Sequence, residues 1–199
     1  MRKVTFGVAN SLDNYIARED GAVDWLMWTS EVAGVTAEFW KTIDTVLMGR
    51  KTYEVALQHS KGKKNPYPGV KSYVFSRTLK RAEDPSVEVV RGDAAAFVAE
   101  LKRGEGKDIC VMGGGDFART LFEAGLIDEV GLNVHPVLLG SGIPLFHRMG
   151  RQIDLELLDS KTFRNGCVYV IYRVKHGGRG GAGGKAPAGR RGNLSTKKY

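Results

Sequence analysis

With 199 residues, 42% of them apolar, and no run of about 18 apolar residues, the chain holds material for one folded domain and none for a membrane span. Its net charge of +8 does not describe a nucleic-acid face, because Arg179, Lys185, Arg190, Arg191, Lys197 and Lys198 all lie in residues 176–199, which contain no acid, leaving +2 for residues 1–175. The expected organisation is a folded domain over 1–175, binding no nucleic acid, followed by a disordered basic Gly-rich tail over 176–199.

The first strand reads over 4–9, short and apolar enough to sit mid-sheet. Just past it comes Ser11-Leu12-Asp13-Asn14. Asp13 has two readings: turn chemistry, or a carboxylate placed at a strand end to orient or protonate a substrate. Trp25 and Trp28 follow, either as core or as the wall of a site for a flat heterocycle. A helix is predicted over 35–44, with Phe39, Trp40 and Ile43 as its apolar stripe.

The second buried strand, 45–48, ends in Gly49 and leads into a helix whose first turn carries Arg50, Lys51 and Thr52, all able to donate to phosphate oxygens. Residues 58–70, rich in Lys, Pro and Gly, read as a surface loop. A third strand over 72–75 ends at Ser76-Arg77, a hydroxyl and a guanidinium suited to a 2′-phosphate. A fourth strand covers 87–90, and Asp93 caps a helix running to about Lys102.

The stretch 108–125 has the strongest pattern. Ile109, Cys110, Val111 and Met112 form a strand buried on both faces, Gly113, Gly114 and Gly115 end it, and Phe117, Leu121 and Ala124 mark a helix stripe, with Asp116 as N-cap and Gly125 as stop. Strand, glycine turn and helix N-terminus together bring bare N–H groups to a phosphate. Gly113, Gly115 and Ala118 also fit Gly-x-Gly-x-x-Ala, but Asp128 and Glu129 come too early for the acidic residue of a Rossmann unit. A long strand over 130–139 contains His135-Pro136, and strands over 155–163 and 167–174 form a hairpin about Asn165-Gly166. Cys110 and Cys167 lie in apolar runs without a Cys-x-x-Cys pair or a histidine at metal spacing, so no metal site is expected and the thiols read as reduced core of a cytoplasmic protein.

Residues 4–17, 48–54, 74–77, 111–118 and 137–146, in that order, resemble the dihydrofolate-reductase-like family. Within it, the chain is similar to the reductase domain at the C-terminus of the bifunctional riboflavin-biosynthesis deaminase/reductase and its stand-alone relatives. The resemblance implies an α/β fold with a mixed, mainly parallel central sheet, helices on both faces and a C-terminal antiparallel hairpin. It implies NADPH as cofactor. Gly113, Gly114 and Gly115, with the amides leading into Phe117 and Ala118, would cradle the pyrophosphate, Gly49, Arg50, Lys51 and Thr52 would grip it from the other side, and Ser76 and Arg77 would select the 2′-phosphate.

Asp13 stands in the branch's Ser-Leu-Asp-Gly motif as the candidate catalytic, substrate-facing carboxylate, with Asn14 in place of the glycine. Asn tolerates a left-handed backbone, so the turn survives. At the helix position where dihydrofolate reductases hold the pteridine no carboxylate fits, since Glu31 and Glu38 have the wrong spacing to Gly49. The expected activity is hydride transfer to a carbonyl or imine carbon of a small heterocycle, similar to the 5-amino-6-(5-phosphoribosylamino)uracil reductase. A dihydrofolate or pteridine reductase and a non-catalytic NADPH-binding module are the alternatives. Relatives of this branch pair through sheet edges or the 137–146 region, which implies a possible homodimer.

Overall fold

The computed structural model describes residues 1–60, 62 and 64–176; apart from His176, the tail expected over 176–199 lies outside the described residues. The chain runs β1 (Val4–Ser11), β2 (Tyr15–Ala17), α1 (Ser30–Lys41), β3 (Ile43–Gly49), α2 (Arg50–His59), β4 (Lys71–Phe75) and β5 (Val87–Val90). It continues α3 (Ala94–Arg103), β6 (Asp108–Gly113), α4 (Gly115–Glu123), β7 (Glu129–His135), β8 (Ile143–Pro144), β9 (Leu155–Thr162) and β10 (Val168–Val174). The main sheet has the order β5-β4-β3-β6-β1-β7-β10-β9. Every pairing from β5 to β7 is parallel, and β10 and β9 close the sheet as an antiparallel hairpin. This is the mixed, mainly parallel α/β architecture of the dihydrofolate-reductase-like fold.

Alternation along the central strands explains both the apolar runs and the two helical layers. Val46 and Met48 of β3, with Cys110 of β6, pack with Tyr53 of α2 and against Phe39 and Trp40 of α1. Leu47, Ile109 and Val111, pointing the other way, pack with Val98 of α3 and Phe117, Leu121 and Phe122 of α4. A strand buried on both faces cannot alternate with polar residues, hence the continuous apolar reading. α3 begins where Asp93 suggested, its carboxylate accepting from Ala95 and Ala96 N–H.

Several boundaries differ from expectation. α1 starts at Ser30 because the Thr29 hydroxyl accepts from Val32 N–H, and it stops at Lys41, so that Ile43, almost fully buried, belongs to β3. α4 is led by Gly114 with no side-chain cap, and Asp116 sits inside its first turn. β7 stops at His135, because Pro136 has no N–H to continue a ladder. The short β2 and β8 pair with each other beside the main sheet, an element too brief to leave a periodic signature.

Candidate dinucleotide site and neighbouring polar cluster

The C-terminal ends of β3 and β6 lie side by side, with Met48 opposite Gly113, and the helices that follow leave to opposite faces of the sheet. Such a switch point is where open α/β sheets hold ligands. Gly49 leads α2 and Gly114 leads α4, both without a side-chain cap. The first helical bond of α4 runs from Ala118 N–H to the Gly114 carbonyl at 2.8 Å, leaving the N–H groups of Gly115, Asp116 and Phe117 without helical partners. Gly113 and Gly114 take positive φ of 124° and 88°, a backbone open in practice only to glycine. Two uncapped helix ends meeting at bare backbone make a cradle suited to a pyrophosphate.

The side chains around this cradle are partly assembled. Thr52 borders Gly113, its hydroxyl 3.7 Å from where a Cβ would stand. Arg50, at the head of α2, is held by Glu54 at 2.7 and 2.8 Å, and Lys51 is exposed. Phe75, opposite Gly49 in the sheet, stacks on Phe117 across it, with centroids 4.4 Å apart and planes at 23°. The chain then turns through Ser76, whose hydroxyl oxygen accepts from Thr78 and Leu79 N–H (3.2 and 2.9 Å) and lies 3.4 Å from the Thr78 hydroxyl. Arg77 is exposed.

The sequence pattern gave no sign of His147, which lies over the third glycine. A Cβ on Gly115 would collide with Cδ2 and Nε2 of the His147 ring, so Gly115 is small to admit that side chain as well as to open the turn. His147 comes from an irregular segment without periodicity, and only the fold brings it to α4.

The second part of the site lies at the end of β1. The β1–β6 ladder ends at Phe6 opposite Val111, whereas β1–β7 continues to Ser11 opposite His135. Beyond this end, the Asp13 carboxylate accepts from the Ser11 hydroxyl at 2.6 Å, Leu139 N–H at 3.2 Å and Gly140 N–H at 2.8 Å. These bonds, the Ser11 hydroxyl foremost, hold its pKa below the ordinary carboxylate value, so it is ionised at neutral pH. Asn14 adopts φ 63°, the left-handed turn its side chain permits, and its carbonyl accepts from Leu145 N–H at 2.8 Å.

Trp25 and Trp28 are separated by the fold. Trp25 is buried, its ring edge-on to His135 at 5.3 Å, and its Nε1–H has no acceptor among the described residues. Trp28 is 68% exposed. His135 is almost wholly buried, with Nδ1 accepting from Met27 N–H at 3.2 Å and Nε2 3.2 Å from the Asn133 amide. Burial lowers its pKa, so the ring is neutral. Among the described residues no group of three or more His, Cys, Asp or Glu side chains is placed to hold a metal.

Known proteins share this arrangement of elements. The chain is 38% identical over 165 residues to the uncharacterized protein YwjB of Bacillus subtilis (strain 168), covering 81% of this chain and 92% of the relative. It superposes with a TM-score of 0.76 and 26% identity on the crystal structure of a putative riboflavin biosynthesis protein from Shewanella sp. PV-4, covering 88% of this chain and all of the other. At 18% identity and a TM-score of 0.63 it shares its fold with dihydrofolate reductase from Enterococcus faecalis, solved with NADP(H), over 87% of this chain and 96% of that one. Residues 2–169 match the family described as the RibD C-terminal domain, and the chain belongs to that family.

Proposed function

We propose that the chain is an NADPH-dependent reductase that transfers hydride to a carbonyl or imine carbon of a small heterocyclic substrate of the aminouracil type. The observation that carries this reading is the meeting of two uncapped, glycine-led helix ends at the switch point of the sheet. The names of the structural neighbours, one a riboflavin biosynthesis protein and one a reductase holding NADP(H), support it.

In this reading Gly113, Gly114 and Gly115, with the amides leading into Phe117 and Ala118, hold the pyrophosphate, and Gly49, Arg50, Lys51 and Thr52 close on it from α2. Ser76, by its hydroxyl, and Arg77, by its guanidinium, take the 2′-phosphate. Bound NADPH would supply the hydride. Asp13 has used three acceptor positions of its carboxylate, and the fourth remains for a substrate hydroxyl or a water that carries the proton. Of the two tryptophans before α1, Trp28 is left exposed to border the substrate, whereas Trp25 is buried against His135. The chemistry then rests mainly on positioning two reactants.

Activity on dihydrofolate fits less well. The α1 carboxylates are already engaged, Glu31 with Arg164 in the turn between β9 and β10 and Glu38 with Lys41. The test is NADPH oxidation by the full chain against phosphorylated and free aminouracils, pterins and simple carbonyls. Turnover with an aminouracil is expected. Turnover with dihydrofolate alone would replace this reading, and tight NADPH binding without any turnover would make the chain a binding module.

We also propose a homodimer. β9 lies at the sheet edge with every residue exposed, Leu155, Leu157 and Leu158 among them. Light scattering that returned a monomer mass would reject it. No helix among the described residues is long and apolar enough to cross a membrane, and both cysteines are free and buried. A reducing, cytoplasmic setting suits such thiols.

A further inference from the structure

Along β1, Val4, Phe6 and Val8 face the α3–α4 side of the sheet and pack into the core there. The same alternation brings Asn10 to that side, 1% exposed, where a further apolar residue would suit the strand. A buried amide is tolerated only through its hydrogen bonds. The Asn10 Nδ2 gives both its hydrogens to the turn that follows, one to the Ser11 carbonyl at 2.9 Å and one to the Asn14 side-chain oxygen at 3.2 Å. Its Oδ1 is buried without a partner among the described residues.

Asn14, at the far end of that turn, is the one non-glycine residue with positive φ among the described residues. It is held at three points. Its N–H donates to the Ser11 carbonyl at 3.0 Å, its side-chain oxygen accepts from Asn10, and its backbone carbonyl accepts from Leu145 N–H at 2.8 Å. Between the two asparagines lie Ser11 and Asp13, hydroxyl and carboxylate joined at 2.6 Å, and the Ser11 hydroxyl oxygen also accepts from Tyr15 N–H at 2.9 Å. The carboxylate is therefore carried on a turn whose two ends are tied together by side chains.

We infer that Asn10 is a positioning residue for Asp13: its hydrogen bond to the Asn14 side chain locks the left-handed turn and fixes where the carboxylate presents its remaining acceptor position. The inference rests on the reading of Asp13 as the substrate-facing carboxylate and names what holds it. It also gives the asparagine at position 14 a use that glycine could not serve. Glycine would enter this φ more easily, yet it would leave the buried Asn10 amide with an unpaired hydrogen.

The test compares the full chain with Asn10→Leu and Asn14→Gly. Leucine continues the row of Val4, Phe6 and Val8 and removes the orphaned oxygen, while Asn14 is exposed and can bond to water instead. The urea midpoint of Asn10→Leu should therefore equal or exceed that of the wild type. Despite that stability, amide exchange at Leu139 and Gly140, which the carboxylate clasps, should quicken by roughly fivefold to tenfold, the effect of one lost hydrogen bond. The Asp13 carboxyl, followed by carbon NMR, should titrate closer to the ordinary 3.8. Asn14→Gly should give the same two changes, and the double variant no more than either alone. With any substrate that the wild type reduces, Asn10→Leu should lower kcat at unchanged NADPH affinity.

Wild-type exchange at Leu139 and Gly140 in Asn10→Leu, or wild-type titration of Asp13, would overturn the proposal. So would a lowered urea midpoint with exchange quickened throughout the sheet, the mark of a purely structural residue. If the wild type reduced no substrate, the reductase reading would fall, and exchange and titration would still decide whether Asn10 holds Asp13.

Discussion

Gly49 and Gly114 meet backbone to backbone: a Cβ added to Gly114 would stand 3.3 Å from the Gly49 Cα and 3.4 Å from its nitrogen. Gly114 also holds φ 88°, whereas Gly49 has an ordinary φ of −76° and room for a Cβ, its nearest neighbour being 3.6 Å away. Gly114→Ala should therefore cost about 1–3 kcal/mol through backbone strain. Gly49→Ala should stay within about 0.5 kcal/mol. Urea denaturation of the two variants checks the contrast, and equal costs would mean that contact outweighs conformation.

At Gly115 the obstruction is a flexible side chain. Gly115→Ala should push the His147 ring aside at a cost of less than about 1 kcal/mol, because the residue already lies in helical backbone. That cost should be non-additive with His147→Ala, which removes the ring that the new methyl would meet. A double-mutant cycle on urea denaturation measures this directly.

Asp13→Asn should release the loop it clasps. The ionised carboxylate receives Ser11, Leu139 and Gly140, so the amide protons of Leu139 and Gly140 should exchange faster in the variant. The folded pKa is below the ordinary 3.8, so the stability it contributes is fully present above that value and is lost as pH falls through the lowered one. The stability gap between wild type and Asp13→Asn should accordingly narrow in acid. If turnover also falls at neutral pH while Leu139 and Gly140 stay protected, the carboxylate acts on the substrate directly.

His135 gives a separate pH signature. Its folded pKa lies below the ordinary 6.5, so below 6.5 the unfolded chain takes up a proton that the folded chain resists. Stability is full above that value and declines as pH drops from it through the lowered pKa. His135→Gln, less stable at neutral pH for loss of the Met27 bond, should show a shallower decline between about pH 7 and about pH 5. Urea midpoints across that range decide it.

Arg77 is expected to discriminate between cofactors. Arg77→Ala should weaken NADPH by tenfold or more, about the 1.5–3 kcal/mol of a hydrogen bond to a charged group, and leave NADH nearly unchanged. Arg50 has Glu54 as a standing partner, so Arg50→Ala should have the smaller effect. Calorimetric titration with both cofactors separates these outcomes, and equal weakening of NADPH and NADH by Arg77→Ala would remove it from the 2′-phosphate.

The central strands were legible because burial on both faces writes a continuous apolar run, as at Val46, Leu47 and Met48 and at Ile109, Cys110 and Val111. The glycine turns were legible because they interrupt those runs. The end of α1 was not, because Ile43 extends the apolar stripe of Phe39 and Trp40 although it serves a strand. Asp116 carries the right chemistry for a cap, yet the tightness of the Gly114 turn places it inside the helix. His147 and the partners of Asp13 depend on contacts between distant segments, which no local period records.

Phe75 and Phe117 stack across Gly49, so the end of β4, the head of α2 and the first turn of α4 are packed against one another. A dinucleotide settling there would immobilise its own rotors without first having to order protein loops on the phosphate side. Association on that side should then be limited by encounter, and slow structural adjustment during binding should come from the Leu139–Gly140 loop that Asp13 restrains.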